Sequence, residues 1–215
     1  MRSRYDEELK NLHGALIDMG AMIESAISGA ITALENRDIQ KAKDIIAYDE
    51  EIDAQERLIE EMCMKLLLRQ QPVARDLRMI STALKLITDM ERIGDQAEDI
   101  VDLVPRMEHR ADEKYPKIRV MAKAAKQMVT EAVDAYVKQD LELAYAVMKH
   151  DDVVDDYFDR VKKGIIGIIA ENPSEGEYAL DLLMIAKYFE RIGDHCTNIA
   201  EWVEFSVTGI HKDCQ

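Results

Sequence analysis

Two stretches decide the fold: Glu91-Arg92-Ile93-Gly94-Asp95, and its recurrence 99 residues later as Glu190-Arg191-Ile192-Gly193-Asp194. A second repeat precedes each of them. Arg37-Asp38-Ile39, followed by Asp49 and Asp53, aligns with Gln139-Asp140-Leu141, followed by Asp151 and Asp155, at an offset of 102. The chain therefore reads as an internal duplication. Its second half is three residues shorter around the middle turn, where a deletion disturbs packing least.

Working outward from these motifs, punctuation is sparse. Nine glycines and four prolines serve 215 residues, and no Asn-Gly or Asp-Gly hairpin signal occurs. Met, Ala, Leu, Glu and Lys are abundant, so local propensity favours helix almost throughout. Breaks at 35–38, 70–72, 105–116, 138–140 and 172–177 predict six helices, over about 4–34, 38–69, 73–104, 116–137, 140–171 and 176–208. Pro72 suits the first turn of a new helix, and Ser174 with Glu177 has the spacing of a capping box. Helices near 30 residues extend about 45 Å and need a continuous apolar seam. The first has one in Leu9, Leu12, Leu16, Met19, Ile23, Ala26, Ala30 and Ala33; the third has Leu77, Ile80, Leu84 and Ile87. Spacings of three and four are those of bundle packing. The expected fold is all-α: two tandem three-helix bundles, divided as 1–108 and 109–215.

Forty-three acidic side chains against 28 basic ones give a formal net charge of −15. Such a polyanion is repelled by phosphate backbones and anionic lipid, so nucleic-acid and polybasic membrane roles are disfavoured. The longest clean apolar run, Ile165–Ala170, is far short of the ~20 residues of a bilayer span, so no transmembrane helix is expected. The N-terminus, Met1-Arg2-Ser3-Arg4-Tyr5-Asp6, shows no secretory signal. Cys63, Cys196 and Cys214 are odd in number and widely spaced, which fits reduced cytosol; Cys63 and Cys196 fall in apolar helical patterns and read as core.

Within the seams, carboxylates intrude. The stripe Val147, Asp151, Val154, Phe158, Val161, Ile165, Ile168 is apolar except for Asp151, and Asp49 holds the same slot in Ile45, Asp49, Ile52, Glu56, Ile59, Cys63, Leu66. Glu91 follows Leu84 and Ile87, and Glu190 follows Leu183 and Ala186. Each intruder has a second acid four residues on: Asp53, Asp155, Asp95 and Asp194. Positions i and i+4 share a helix face, so each helix offers a carboxylate pair to the bundle interior or its edge. Unpaired carboxylates out of water cost several kcal/mol. A cation relieves this, and all-oxygen ligation suits Mg, Ca, Mn or Fe, with Zn admissible. Solvated faces or salt bridges with Arg92 and Arg191 are the competing reading. Gly94 and Gly193, beside the acids, suggest close backbone approach. His195 reads as a surface or supporting group. The Glu-x-x-His pairs of di-iron bundles are absent, as are HExxH, GxSxG and phosphate-binding glycine loops.

Leu84–Asp102, containing Thr88-Asp89-Met90-Glu91-Arg92-Ile93-Gly94-Asp95-Gln96-Ala97-Glu98-Asp99-Ile100, resembles the first signature of the PhoU family of bacterial phosphate-signalling regulators. Tyr188–Glu201 resembles the second signature, and Gln71–Arg78 the family's turn into the third helix; the likeness covers essentially the whole chain. The resemblance implies a cytoplasmic protein, often a homodimer, with multinuclear metal clusters on paired acidic motifs. The matching positions are Asp49 and Asp53 with Glu91 and Asp95, then Asp151 and Asp155 with Glu190 and Asp194. Where the second signature keeps asparagine, at Asn198, the equivalent here is Asp99, a candidate additional ligand. Implied too are divalent or trivalent ions (Fe, Zn, Mn or Mg) and a regulatory role without turnover. The family restrains the phosphate ABC transporter through its ATPase subunit and holds a sensor histidine kinase inactive, so contact with the membrane is peripheral, through partners. The alternative kept beside it is a carboxylate-bridged metalloenzyme on a helical bundle.

Overall fold

The computed structural model describes residues 2–69, 74–107 and 116–210. Six helices carry the chain: α1 (Arg2–Asn36), α2 (Ile39–Arg69), α3 (Ala74–Asp102), α4 (Pro116–Lys138), α5 (Leu141–Glu171) and α6 (Gly176–Thr208), with short 3-10 turns at Val104–Met107 and Pro173–Glu175. Among the described residues there is no strand. Helices α1, α2 and α3 pack on one another, as do α4, α5 and α6, and the two triads meet through α3 against α6 and α1 against α4. The all-α expectation of two three-helix units is met. Pro72, Cys214 and most of the charged stretch after Pro105 lie outside the described residues.

The seam of α1 is buried from Leu12 to Ala33, each large aliphatic side chain contributing about 1.5–3 kcal/mol. Cys63 and Cys196 are fully buried core residues, and burial raises the Cys63 thiol to about 12. The seam predicted for α3 is only partly right. Ile80 and Ile87 are buried, but Leu77 is 45 % exposed, because the buried face of α3 runs through Ile80, Ala83, Ile87 and Met90, and Leu77, like the half-buried Leu84 two turns on, lies at its border. Residues 5–36 of α1 meet a bilayer-span criterion by length and composition, with a mean hydropathy of 1.3 over their most apolar stretch, half of it buried. No unbroken run revealed this, because Ser and Gly interrupt it; its apolar side is taken up by α2, α3 and α4.

The duplication extends to the turns. Arg37 and Gln139, 102 positions apart, both take a left-handed φ of 53°. The next amide reaches back five residues in each case, Asp38 N to Ala33 O at 2.9 Å and Asp140 N to Ala135 O at 3.0 Å, which is the Schellman closure. Asp38 and Asp140 then cap the following helices, accepting from Lys41 N at 2.9 Å and Leu143 N at 3.1 Å. The capping box predicted at Ser174 and Glu177 does not form. The Ser174 hydroxyl donates to Asn172 Oδ1 at 2.7 Å, and Glu175, at the N-cap of α6, makes no side-chain capping bond. Asn172 has claimed the local hydrogen bonds first.

Candidate functional site

The carboxylate pairs come together because their helices pack with glycine at the contact. Ile45, Ile52 and Ile59 bury one stripe of α2, which leaves Asp49 half-buried against α3. A Cβ at Gly94 would stand 2.9 Å from Asp49 Oδ1, and one at Gly193 3.0 Å from Asp151 Oδ1. The two glycines therefore let each aspartate approach the facing backbone. Both Oδ1 atoms are buried without a hydrogen-bond partner, an unfavourable state for a polar atom.

Burial is the first cause of the Asp49 pKa rising to about 7; the charges of Glu98, Asp95, Asp53 and Glu91 add to it, in that order. Asp151 rises to about 6, first by burial and then through Asp155, Asp194, Asp152 and Glu190. Each half thus gathers its four predicted acids into one electrostatic cluster. Glu91, Asp155 and Asp194 are likewise raised, burial leading in each.

Cationic side chains meet only part of this charge. Arg92 Nη1 lies 2.8 Å from Asp95 Oδ2 and its Nε 3.5 Å from Glu91 Oε2; Arg57 Nη1 lies 3.2 Å from Asp53 Oδ2. In the second half Lys187 pairs with Glu190. Among the described residues, no three His, Cys, Asp or Glu side chains are arranged to hold a metal ion as they stand. The donor set nonetheless fits a hard cation: every candidate ligand is an oxygen, and each cluster keeps a buried, unpaired carboxylate oxygen.

Asp99 borders the cluster: burial raises its pKa first and the charge of Asp95 adds to the rise, with Arg191 of α6 opposing it. Glu98 joins as well: burial raises Glu98 most, while a hydrogen bond with Asp49 opposes the rise. Glu56 joins too, raised by burial and by Asp53. Neither was found from the sequence, although Glu98 lies seven residues beyond Glu91, on the same helical face. His195 is engaged elsewhere. Its Nδ1 lies 2.9 Å from Asp89 Oδ1, which also accepts from Asn198 Nδ2 at 3.0 Å, tying α6 to α3.

With this geometry in place, comparison with known proteins is decisive. The PhoU domain profile matches twice, over residues 16–104 and 118–203. The chain belongs to the PhoU family. A homologue in Clostridium acetobutylicum, named phosphate-specific transport system accessory protein PhoU homolog, is 37 % identical over 99 % of this chain and 98 % of its own length. The phosphate-specific transport system accessory protein PhoU of Escherichia coli is 30 % identical, over 96 % of this chain and 86 % of its own. The crystal structure of PhoU from Pseudomonas aeruginosa superposes with a TM-score of 0.92 at 32 % identity, covering 96 % of this chain and all of that one. A phosphate transport system regulatory protein PhoU from Streptococcus pneumoniae gives 0.88 at 27 %, covering 96 % and 98 %. The family resemblance of the two ERIGD segments is thereby established for the whole chain.

Proposed function

We propose that this PhoU-family chain is a negative regulator of phosphate uptake and phosphate-starvation signalling. It acts as a cytoplasmic adaptor, most simply a homodimer, between the ATPase subunit of the phosphate ABC transporter and a sensor histidine kinase, and it needs no chemical turnover. The observation that carries this reading is relatedness along the full chain to proteins named as accessory proteins of the phosphate-specific transport system. Deleting the gene should leave cells expressing phosphate-starvation genes in rich phosphate, and pull-down of the tagged chain should retain both partners. Normal repression in the deletion strain would overturn the reading.

The carboxylate clusters supply the second element. We infer that Asp49, Asp53, Glu91 and Asp95, with Glu98, hold hard metal ions in the first half, and Asp151, Asp155, Glu190 and Asp194 in the second. Asp99, whose pKa is raised by burial and by Asp95, is the further ligand proposed beside the first set. The unpaired Oδ1 atoms of Asp49 and Asp151 and the mutually raised pKa values support it. Such ions would neutralise the clusters and fix α2 to α3 and α5 to α6. Purified protein should contain stoichiometric metal, and added Mn2+ or Mg2+ should raise the melting temperature. A ligand at a hundred times its dissociation constant stabilises by about 2.7 kcal/mol. Asp49→Ala/Glu91→Ala and Asp151→Ala/Glu190→Ala should each abolish part of that gain. An unchanged metal content and melting response in both variants would sink the metal sites while leaving the adaptor role standing.

A further inference from the structure

A cavity of about 810 Å3 opens at one end of the molecule, where the N-terminal parts of α1 and α3 meet the C-terminal ends of α4 and α6. In a chain with 43 acids, none of the described residues that line it is acidic. Lys10, Arg75 and Arg78 do, and among the described residues none of the three makes an ion pair. His13 stands beside them, its Nδ1 3.1 Å from the Tyr136 hydroxyl. Tyr136 is buried, which raises its pKa and keeps the phenol neutral. Thr82 is only 1 % exposed, lines the same cavity, and its Oγ1 has no hydrogen-bond partner.

Packing alone does not account for this set. The Arg78 guanidinium fills the space that a Cβ at Gly209 would need, next to the end of α6, so it also answers the negative pole of that helix. That leaves Lys10, Arg75 and the unpaired Thr82 hydroxyl unexplained. Unneutralised cations facing one cavity repel each other, and a buried hydroxyl without a partner costs about 1–3 kcal/mol. A bound anion relieves both. Arginine forks match the oxygens of a phosphate. The volume lies within the range of about 300–1,000 Å3 typical of small-molecule sites, far beyond a bare oxyanion, and Leu9, Met79 and Val207 add apolar wall.

We propose that this cavity binds a phosphorylated small molecule of nucleotide size, its phosphate held by Lys10, Arg75, Arg78 and the Thr82 hydroxyl, its apolar part against the aliphatic wall. The site is separate from the carboxylate clusters: Arg78 and Asp95 are about 25 Å apart along α3 at 1.5 Å per residue. Its walls come from both halves of the chain, so an occupant bridges them. The proposal is independent of the adaptor reading.

Isothermal titration of the full chain tests it, with adenosine 5′-monophosphate as probe, adenosine as the uncharged control and inorganic phosphate as the small anion. The monophosphate should bind saturably, and adenosine should not. Arg75→Gln/Arg78→Gln should weaken the monophosphate by at least about tenfold, Thr82→Val by severalfold, and Lys163→Gln, an exposed position on α5 that does not line the cavity, not at all. Should the arginine variant lose its circular dichroism signal, Lys10→Gln, at an exposed position, must show the weakening instead. The proposal is overturned by no saturable binding of the monophosphate at millimolar concentration, by equal binding of adenosine, by binding of inorganic phosphate alone, or by unchanged affinity in the folded variants.

Discussion

The two carboxylate clusters share an ancestor in sequence but not their present environments. In the first half, Asp49 faces four acids and its pKa rises to about 7; in the second, Asp151 also faces four, yet rises only to about 6. The surroundings differ at two aligned positions. Glu98 corresponds to Thr197 and Glu56 to Phe158, so the first half keeps two acids that the second lacks. The local cation differs as well: Arg92 spans Glu91 and Asp95, while Lys187, one turn earlier on its helix, takes Glu190. Duplication thus preserved the backbone approach at Gly94 and Gly193 and let the charge around it drift. If the added charge of Glu98 governs Asp49, the first cluster gains more from a cation than the second.

The comparison breaks most visibly under a pH titration of metal-free protein in chelator. A raised carboxyl pKa means that the folded chain holds a proton the unfolded chain has already released. Stability therefore falls as pH rises, between about 3.8 and about 7 for Asp49 and between 3.8 and about 6 for Asp151. Asp49→Asn removes the first descent and should stabilise the protein at pH 8 by roughly 1–3 kcal/mol, after allowance for solvent screening of a half-buried group. Asp151→Asn should gain roughly two-thirds as much. Urea unfolding across pH 4–9 measures both, and equal gains would mean that the clusters are electrostatically equivalent.

A smaller difference is expected from the glycines. At Gly94, a new Cβ meets Asp49 Oδ1 at 2.9 Å and Ile52 Cδ1 at 3.1 Å; at Gly193 it meets Asp151 Oδ1 at 3.0 Å, with Val154 no nearer than 3.5 Å. Alanine gains about 1 kcal/mol of helix propensity in either place, against a crowding cost of about 1–3 kcal/mol. Gly94→Ala should therefore lose about 1 kcal/mol net and Gly193→Ala should be near neutral. Thermal unfolding of the two variants side by side decides it. A loss at Gly193 as large as that at Gly94 would show that the second contact is just as tight.

How much of this was legible in the sequence follows from the length scale of each signal. Thirty-residue seams repeat often enough to declare helices, and the turns at Arg37 and Gln139 announced themselves through the duplication. Leu77 misled, because a three-four spacing fixes a stripe only to within a residue's width, and the buried stripe runs through Ala83 and Met90 rather than through Leu77 and Leu84. The capping box misled because Asn172 competes for the same donors. Asp49 and Asp151 stood out as interruptions of apolar stripes matched between halves. Glu98 was invisible to that test, since its counterpart is Thr197 and the search favoured what recurs. The basic cavity was more hidden still: its cations come from α1 and α3, more than 60 positions apart, with Tyr136 from α4, and no local pattern brings such residues together.

Because Glu98 is the largest of the charges acting on Asp49, it is also where the two clusters can be made alike. Glu98→Thr gives the first half the side chain of the second. It should draw the Asp49 pKa down towards that of Asp151 and stabilise metal-free protein at pH 8 by less than about 1 kcal/mol. The reciprocal Thr197→Glu adds a carboxylate next to Asp151 and should push its pKa upward, with a stability loss of similar size. Carbon-detected NMR titration of the aspartate carboxyls reads the two shifts directly, free of the helix-packing effects that complicate unfolding data. Should Asp49 stay near 7 in Glu98→Thr, burial and the shared acids Asp95, Asp53 and Glu91 set its protonation, and the replacement of Glu98 by Thr197 after duplication had no electrostatic consequence. A fall in Asp49 matched by a rise in Asp151 would instead make this one position the main determinant of how differently the two halves respond to protons and, by the same reasoning, to cations.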